Sequence, residues 1–337
     1  MRPFKFTTAA NPASAISYLS KNPKAKFLGG GTNLLDLMKE DVEYPDELVD
    51  LGRLNLTAIS ELSAGYNAGG ISIGGLGKNT AAANHPLIRK NYPVLTRAIL
   101  AGASAQIRNM ATNAGNLLQR TRCSYFYDVA MPCNKRTPGS GCSAMEGFNR
   151  MHAIFGWSDS CVAVYPSDMA VALSALNATV KVLQANGTSR SIPMDDFHLL
   201  PGNHPEKENS LKPSELITSI ELPKNKFATH SAYLKVRDRN SYAFALVSVA
   251  AGLVLDGDII RDVALSMGGV AHKPWKAQKS IKALIGKKPS TANFTMAAEA
   301  EMADAKPLSH NKFKIELGKR TIIHALELAL KGEGTKS

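Results

Sequence analysis

All four cysteines of this 337-residue chain lie in one segment, at Cys123, Cys133, Cys142 and Cys161. The stretch that holds the first three, CSYFYDVAMPCNKRTPGSGC (residues 123–142), is rich in glycine and proline. An open loop of this length and composition would hardly order itself inside a compact domain. We therefore expect the thiols to bridge or bind something around which the segment folds.

Three kinds of chemistry use four neighbouring thiols. Disulfide frameworks belong to small secreted domains, and a chain long enough for a large core has little need of them. Structural zinc sites usually come as two C-x2–4-C knuckles, whereas the spacing here is C-x9-C-x8-C-x18-C. Four thiolates are also what one [4Fe–4S] cluster requires, although this spacing matches no standard ferredoxin run. The spacing alone leaves zinc and the cluster open.

The charge and the hydrophobic pattern of the chain limit the kinds of partner that it can bind. The formal net charge is +12, but the basic residues are scattered apart from the run KPWKAQKSIKALIGKKP (273–289). That run places Ile281, Leu284 and Ile285 at helical spacing, so we interpret it as a solvated helix face and expect no nucleic-acid binding. No apolar run approaches the roughly 20 residues of a membrane span.

The start of the chain bears on its compartment. MRPFKFTTAANPAS has neither a hydrophobic signal region nor a twin-arginine pair, which predicts that the chain carries no export signal of its own. We therefore expect the protein to be periplasmic by co-export with a partner that bears the signal, or else cytoplasmic.

The first two thirds of the chain mix strand and helix patterns. A helix is predicted after Asn11, which can cap it, with Pro12 at its first position. Short helices are predicted before the cysteines, broken at Pro86, Pro93 and Gly102. After the cysteines the pattern predicts a helix, two strands joined by an Asn-Gly turn, and a closing strand in SELITSIELP.

The last hundred residues form a second predicted domain beyond the polar connector KNKFATH (224–230). Three strands are predicted in SAYLKVRDR, FALVSVAAGLVLD and IIRDVALSMGGV, the last two joined by a DGD hairpin. An antiparallel sheet covered by helices is expected. The predicted helices are 274–286, 291–304 and 311–331.

A glycine turn, FLGGGTNLL (27–35), lies between a predicted strand and a predicted helix, where backbone N–H groups favour phosphate oxygens. It is not a Rossmann fingerprint, because Leu34 stands where the third glycine belongs, and no Walker lysine follows. Taken alone, it is better explained as a tight turn. A second loop of small and polar residues, ATNAGNLLQ (111–119), suggests that a pyrophosphate is held from two sides.

Five ordered motifs, KFLGGGTNLLDLMK, AGASAQIRNMATNAGN, YPSDMAVAL, SELITSIELP and YLKVRDR, resemble the FAD-binding medium subunit of the xanthine dehydrogenase family of molybdenum hydroxylases. The resemblance covers almost the whole chain. The segment between TNAGN and YPSD is absent from most of that family. It resembles the flavin subunit of bacterial periplasmic aldehyde oxidoreductases, where such an insert carries a [4Fe–4S] cluster.

The resemblance implies an α+β fold. It consists of a two-part FAD-binding domain of the vanillyl-alcohol-oxidase-like (PCMH) type over 1–223, with the insert at about 120–161. A C-terminal domain like that of the CO dehydrogenase flavoprotein covers 230–333. The cluster ligands would be the four cysteines.

The resemblance also implies the flavin site. Its pyrophosphate turn would be formed by Phe27, Leu28, Gly29, Gly30, Gly31, Thr32, Asn33 and Leu34. The second FAD loop would comprise Thr112, Asn113, Ala114, Gly115 and Asn116, with Gly102 near it. Asp168 would lie at the flavin, and Ile217 and Lys235 would line its pocket. By its position alone, Asp168 would be read as the N-cap of the following helix.

The implied function is that of an electron-transfer subunit. A large subunit with the molybdenum cofactor would oxidise an aldehyde and pass the electrons to the [2Fe–2S] centres of a small subunit. From there the electrons would pass through the FAD of this chain to an external acceptor. Alternatives are the flavin subunit of a 4-hydroxybenzoyl-CoA reductase-like enzyme and a basic, zinc-stabilised binding protein.

The residues around the cysteines suggest how a cluster would be tuned. Arg120, Arg122, Lys135 and Arg136 are close in sequence and are expected to favour an anionic cluster. The nearby aromatic residues are expected either to exclude solvent from the cluster or simply to pack the insert. They are Tyr125, Phe126, Tyr127 and Trp157. The eight histidines are dispersed and are predicted to be structural, and no catalytic constellation for substrate is found.

Overall fold

The computed structural model describes residues 1–332, and residue 333, the predicted end of the second domain, lies outside the described residues. The chain begins with a three-stranded parallel sheet of order β1-β3-β2. The side chain of Asn11 caps the first helix by accepting a hydrogen bond from the N–H of Ser14 (2.8 Å), as predicted. The elements of this part are β1 Lys5–Thr8, α1 Pro12–Lys21, β2 Ala25–Leu28, α2 Leu34–Lys39 and β3 Glu47–Asp50.

The second part of the first domain is a five-stranded antiparallel sheet of order β4-β5-β8-β6-β7, packed against short helices. The breaks predicted at Pro86, Pro93 and Gly102 are observed. The strands are β4 Ile59–Glu61, β5 Ile71–Gly74, β6 Thr179–Leu183, β7 Ser189–Pro193 and β8 Leu216–Leu222. The helices are α3 Asn79–Asn84, α4 Pro86–Asn91, α5 Pro93–Ala101, α6 Ala105–Met110, α7 Asn113–Leu117, α10 Asp168–Ala175 and α11 Met194–Phe197.

The insert between α7 and α10 has little regular structure. It contains α8 Ser124–Tyr127 and α9 Ser143–Glu146, each four residues long, and otherwise turns and bends. Its backbone is held by the hydrogen bonds of turns and by side chains, such as that of Asn134, which donates to the carbonyl oxygen of Ser160 and accepts from the N–H of Gly141.

The C-terminal part is a four-stranded antiparallel sheet of order β12-β11-β10-β9, covered by helices on one face. The predicted hairpin joins β10 and β11. The elements are β9 Ser231–Val236, β10 Val247–Asp256, β11 Ile259–Gly268, β12 Trp275–Lys276, α12 Gln278–Leu284, α13 Thr291–Met302 and α14 Phe313–Leu330.

The first predicted helix of this part begins too early. Residues 275 and 276 pair with Met267 and Ser266 as an extra strand, and the helix starts only at residue 278. Tertiary contacts decide this, because the ring of Trp275 stacks on Phe155 with centroids 4.8 Å apart, and its Nε1 donates to Glu301 (2.9 Å).

Helix α10 is the element that joins the two domains. All eight of its residues are buried, because it lies between the first domain's core and the faces of β10 and β11. Its first residue, Asp168, therefore lies where the two domains meet. This arrangement agrees with the predicted α+β fold. No helix within residues 1–332 is long and apolar enough to cross a membrane.

Candidate functional site

The glycine turn follows β2 at the carboxyl end of the parallel sheet and leads into α2. Gly31 has φ of +72°, a left-handed conformation that strongly favours glycine. Position 30 requires a glycine because the backbone of Met110 lies close to it: a Cβ on Gly30 would lie 2.0 Å from the carbonyl oxygen of Met110. The turn is therefore pressed against the chain that leads into the second loop.

The second loop is shaped by its own cap. The Oγ1 of Thr112 accepts a hydrogen bond from the N–H of Gly115 (3.1 Å) at the start of α7. A Cβ on Gly29 would lie 2.9 Å from the same oxygen, so the two loops touch here as well. Asn113 is turned inward, where its amide donates to the carbonyl oxygen of Gly74 and accepts from Asn79.

Two cavities run along these loops. The first, here called the glycine-turn cavity, has a volume of about 300 Å³. The second, the interdomain cavity, has a volume of about 570 Å³ and shares Thr32, Asn33 and Gly115 with the first. Of the residues predicted to contact FAD, those lining the glycine-turn cavity are Phe27, Leu28, Gly29, Gly30, Gly31, Thr32, Asn33, Leu34, Thr112, Ala114, Gly115 and Ile217. Those lining the interdomain cavity are Thr32, Asn33, Gly102, Gly115, Asn116, Asp168 and Lys235.

Asn113 is therefore the one predicted FAD-contacting residue that lines neither cavity. Its side chain, 1% exposed, is used to hold the loop rather than to face a ligand.

A buried ion pair marks the wall of the interdomain cavity. The Nζ of Lys235 lies 2.8 Å from Oδ2 of Asp168 and also donates to the carbonyl oxygen of Ala101 (3.0 Å). Both side chains of the pair are less than a tenth exposed, at 4% and 7%. The hydroxyl of Tyr233 donates to the other carboxylate oxygen (2.6 Å), and burial, with the nearby carboxylate, raises the pKa of Tyr233 well above its usual value.

The alternative reading of Asp168 as a helix cap is wrong. The capping side chain is that of Ser167, whose Oγ accepts from the N–H of Ala170 (3.0 Å), while Asp168 is the first residue of the helix. Both residue types are common at N-caps, and the carboxylate is instead drawn to Lys235. Tyr233 was missed, although it precedes Lys235 by two residues on one strand and so shares its face.

The four cysteines are free thiols that border one common cavity, here called the cysteine cavity. Cys133 and Cys142 face each other across an antiparallel bridge, and Cys161 lies in a second bridge with Ser158. The structure therefore brings together residues that are up to 38 positions apart in the sequence.

The thiols differ in acidity. A hydrogen bond from the thiol of Cys161 lowers the pKa of Cys142 to about 6, helped by the N–H groups of Val162, Ala144 and Met145. The same interaction, with burial, raises the pKa of Cys161. Burial raises the pKa of Cys123 to about 11. Of these three thiols, Cys142 becomes a thiolate most readily.

No group of three or more His, Cys, Asp or Glu side chains within residues 1–332 is placed to hold a metal ion. The thiols border a shared space without meeting at a single point. That space is small, about 10 Å³.

The four basic residues expected to favour an anionic cluster have partners of their own in the structure. Arg120 is paired with Glu43 and Glu208 (2.6 Å each) and Arg122 with Asp36 (3.0 Å). Sequence proximity did not place these side chains at the thiols, because carboxylates from other elements hold them.

Arg136 has a structural use, since it donates to the carbonyl oxygens of Tyr125 (3.0 Å) and Phe126 (2.8 Å). Only Lys135 of the four lines the cysteine cavity, and its Nζ lies 3.0 Å from Glu208.

Of the aromatic residues expected near the thiols, Tyr125 and Phe126 line the cysteine cavity. Tyr127 packs with Phe126 in a small apolar cluster. Trp157 instead donates its N–H to the carbonyl oxygen of Lys306 (2.8 Å) and does not line the cysteine cavity.

One histidine touches a cysteine. Nε2 of His152 lies 3.1 Å from Sγ of Cys123, and the side chain is buried. Burial, and then the charge of Lys314, lower the pKa of His152 to about 4, so the ring is neutral at neutral pH. The contact spans 29 residues of sequence and carries no local signal.

Two loops pressed together beside a large cavity between two domains form a preformed site of a size that suits a cofactor. The family described as "FAD binding domain in molybdopterin dehydrogenase" matches residues 2–225, and "CO dehydrogenase flavoprotein C-terminal domain" matches residues 232–328. The chain belongs to the FAD-binding medium subunits of the xanthine dehydrogenase and CO dehydrogenase family. The predicted family and fold are confirmed.

Two relatives illustrate the range of similarity. The chain is 47% identical over 330 residues to the aldehyde oxidoreductase FAD-binding subunit PaoB of Escherichia coli K12, which covers 97% of this chain and 98% of the relative. It is 28% identical over 285 residues to the glyceraldehyde dehydrogenase medium chain of Sulfolobus acidocaldarius, covering 85% and 82%.

Solved structures show the same fold at lower identity. The structure of quinoline 2-oxidoreductase from Pseudomonas putida 86 matches with a TM-score of 0.75 and 23% identity over 98% of each chain. Carbon monoxide dehydrogenase from Hydrogenophaga pseudoflava matches with a TM-score of 0.76 and 21% identity, over 98% of this chain and 99% of that one.

Proposed function

We propose that this chain is the electron-transfer subunit of a molybdenum-dependent aldehyde oxidoreductase and carries both FAD and a [4Fe–4S] cluster. The single observation that carries the cluster is the shared cavity bordered by all four cysteines. The aldehyde substrate is supported by the 47% identity to an aldehyde oxidoreductase FAD-binding subunit over nearly the whole chain.

The residues fit FAD as follows. The glycine turn offers backbone N–H groups for the pyrophosphate, and Gly30 lets this turn lie close against the chain that leads into the second loop. The interdomain cavity would take the flavin, with Asp168 and Lys235 in its wall. When bound, FAD supplies the redox chemistry, and this chain binds it, orients it and limits its contact with water.

The donor set also fits an iron–sulfur cluster, which needs four thiolates. The lowered pKa of Cys142 favours the ionised form that ligation requires.

The proposed role requires partner subunits. A large subunit with the molybdenum cofactor would oxidise the aldehyde, and a small subunit with [2Fe–2S] centres would relay the electrons to this chain. One cluster here would use all four thiols of the chain, so the [2Fe–2S] centres must be elsewhere. An external acceptor would then take the electrons from the flavin.

Composition analysis tests the cofactors. The full chain, prepared without oxygen, is expected to contain one FAD and about four iron and four acid-labile sulfide atoms. Zinc in place of iron, or four free thiols in anaerobically assembled enzyme, would contradict the cluster.

Reconstitution tests the role of the chain. The chain alone is expected to oxidise no aldehyde, and to support turnover when combined with the molybdenum and [2Fe–2S] subunits. Robust aldehyde turnover by the isolated chain would contradict the proposed division of labour.

A further inference from the structure

We propose that His152 is a positioning residue that donates a hydrogen bond from Nε2 to Sγ of Cys123, and that this bond raises the reduction potential of the cluster. The inference rests on the proposed function and names a residue outside the four ligands. It also identifies Cys123 as the ligand that faces the flavin side of the cluster.

The ring of His152 is held in place from its backbone. Its N–H donates to the carbonyl oxygen of Asn149 (3.0 Å), and its carbonyl oxygen accepts from Nζ of Lys314 (3.0 Å) and Nδ2 of Asn311 (3.2 Å). Residues of the C-terminal domain therefore fix a histidine of the insert. The 3.1 Å contact to Cys123 is a consequence of that docking.

The direction of the hydrogen bond follows from the partners. A neutral imidazole has one N–H and one acceptor nitrogen. A ligating thiolate can only accept, so the nitrogen that faces it must carry the proton. Nδ1 of His152 has no hydrogen-bond partner, which suits an acceptor better than a buried donor. Hydrogen bonds to the sulfur ligands of an iron–sulfur cluster help to set its potential, because they stabilise the reduced, more negative state.

Cys123 occupies a special place among the four thiols. A fourth cavity of about 380 Å³ lies between the insert and the C-terminal domain, and Cys123 and His152 both line it. Of the four cysteines, Cys123 alone borders this cavity as well as the cysteine cavity. The residues that the fourth cavity shares with the interdomain cavity are Arg122, Met151, Pro166, Ser167, Asp168 and Phe244.

This adjacency gives the hydrogen bond its importance. The space that begins at Cys123 continues to Asp168, in the wall of the cavity assigned to the flavin. Electrons that pass between cluster and flavin would leave by the ligand that borders this space. His152 acts on that ligand and lines neither the interdomain cavity assigned to the flavin nor the cysteine cavity.

The test is an EPR-monitored redox titration of the cluster in the full chain. His152→Leu is expected to shift the midpoint potential to a more negative value, and His152→Gln, which keeps a donor, to restore part of the shift. His272→Leu is the matched control, because His272 is also buried but neither of its ring nitrogens has a partner. We expect it to leave the potential unchanged.

A spectroscopic signature separates the hydrogen bond from a general structural role. The reduced cluster of the wild type should show an exchangeable-proton hyperfine coupling that disappears in His152→Leu and persists in His272→Leu. Should His152→Leu fail to retain iron, the wild-type coupling and the His152→Gln potential decide the question.

The outcomes are distinguishable. Four irons per chain with an unmoved potential and an unchanged coupling in His152→Leu overturn this inference alone. A wild-type chain that binds no iron overturns the proposed cluster, and this inference with it. Equal shifts in the His152 and His272 variants also overturn it, since they show a general effect of buried histidines.

Discussion

The glycine cradle and the cysteine insert are two binding regions built in opposite ways. The cradle, formed by the glycine turn 27–34 and the loop 112–116, lies between regular strands and helices that fix its backbone. The insert at 120–161 has two four-residue helices and is otherwise held by backbone hydrogen bonds in turns, side-chain hydrogen bonds and docking contacts. The cradle offers main-chain N–H groups, whereas the insert offers side-chain thiols.

This difference shows which contacts hold the cradle and which hold the insert in its folded conformation. In the cradle the sheet and the contact between Gly30 and Met110 set the geometry before any ligand binds. In the insert no strand of the three sheets contributes, so part of its order would come from the proposed cluster and from neighbours such as Lys314. We therefore expect loss of FAD to leave the cradle folded, and loss of the cluster to loosen the insert.

The largest effect is expected from Gly30→Val. Its side chain would collide with the carbonyl oxygen of Met110 and separate the two loops, so FAD binding should weaken by at least ~100-fold, about 3 kcal/mol. Flavin absorbance per chain measures this. Ser189→Val, at an exposed position of the edge strand β7, is the control and should keep its flavin. Full flavin occupancy in Gly30→Val, with the fold intact, would place the site elsewhere.

Cys161→Ser tests the cysteine insert, the second region of the comparison. Removal of one buried ligand should abolish most iron binding and make 120–161 sensitive to limited proteolysis, while FAD remains bound. The neighbouring replacement Ser160→Ala should change neither quantity. A protease-resistant insert without iron would show that the segment folds on its own.

The buried pair at the boundary of the domains is expected to have an intermediate effect on FAD binding, together with a loss of stability. Lys235→Met leaves the carboxylate of Asp168 with only Tyr233 as a charge-stabilising partner, and breaking a buried pair costs about 3–5 kcal/mol. Chemical denaturation should show this loss together with lower FAD occupancy. Arg261→Met removes an ion pair with Asp256 that is about two thirds exposed and should cost less than about 1 kcal/mol. Similar losses in both variants would contradict the role given to the buried pair.

The smallest and most specific effect concerns the docking of the insert. Lys314 is fully buried and donates to the carbonyl oxygens of Met151, His152 and Gly269. Burial, and then the charge of Arg150, lower the pKa of Lys314 to about 7. At pH 9 the lysine is neutral in the folded state, and Lys314→Met should cost about 1–3 kcal/mol, because buried acceptors lose their donor.

The pH dependence follows from the lowered pKa. Between the folded pKa of about 7 and the unfolded value near 10.5, the unfolded chain binds the extra proton, so wild-type stability falls as pH decreases through this window. The gap between the wild type and Lys314→Met should therefore narrow from pH 9 to pH 7, by at most about 1.4 kcal/mol per pH unit. A gap that does not depend on pH would contradict a buried, titrating Lys314.

The cradle was predictable because its signals are local. A glycine run between an apolar strand and an amphipathic helix, and a second small-residue loop, carry their geometry in neighbouring residues, and Gly31 has the positive φ that such a turn needs. The breaks at Pro86 and Pro93 were predictable for the same reason.

What could not be predicted depends on contacts between distant residues. The carboxylate of Asp168 pairs with a lysine 67 positions away, which is why the helix cap was misassigned to it. Arg120, next to the cysteines in sequence, is held by Glu43 and Glu208 instead. His152 meets Cys123 only because the C-terminal domain fixes its backbone.

Hydrogen–deuterium exchange tests the contrast between the cradle and the cysteine insert most directly. The full chain would be compared with its cofactors bound, after removal of iron, and after removal of FAD. We predict that removal of iron raises exchange in 120–161 while the strands and helices of the cradle stay protected, and that removal of FAD leaves those elements protected too. Unchanged exchange in the insert after iron removal, or a cradle that unfolds with the insert, would contradict the account.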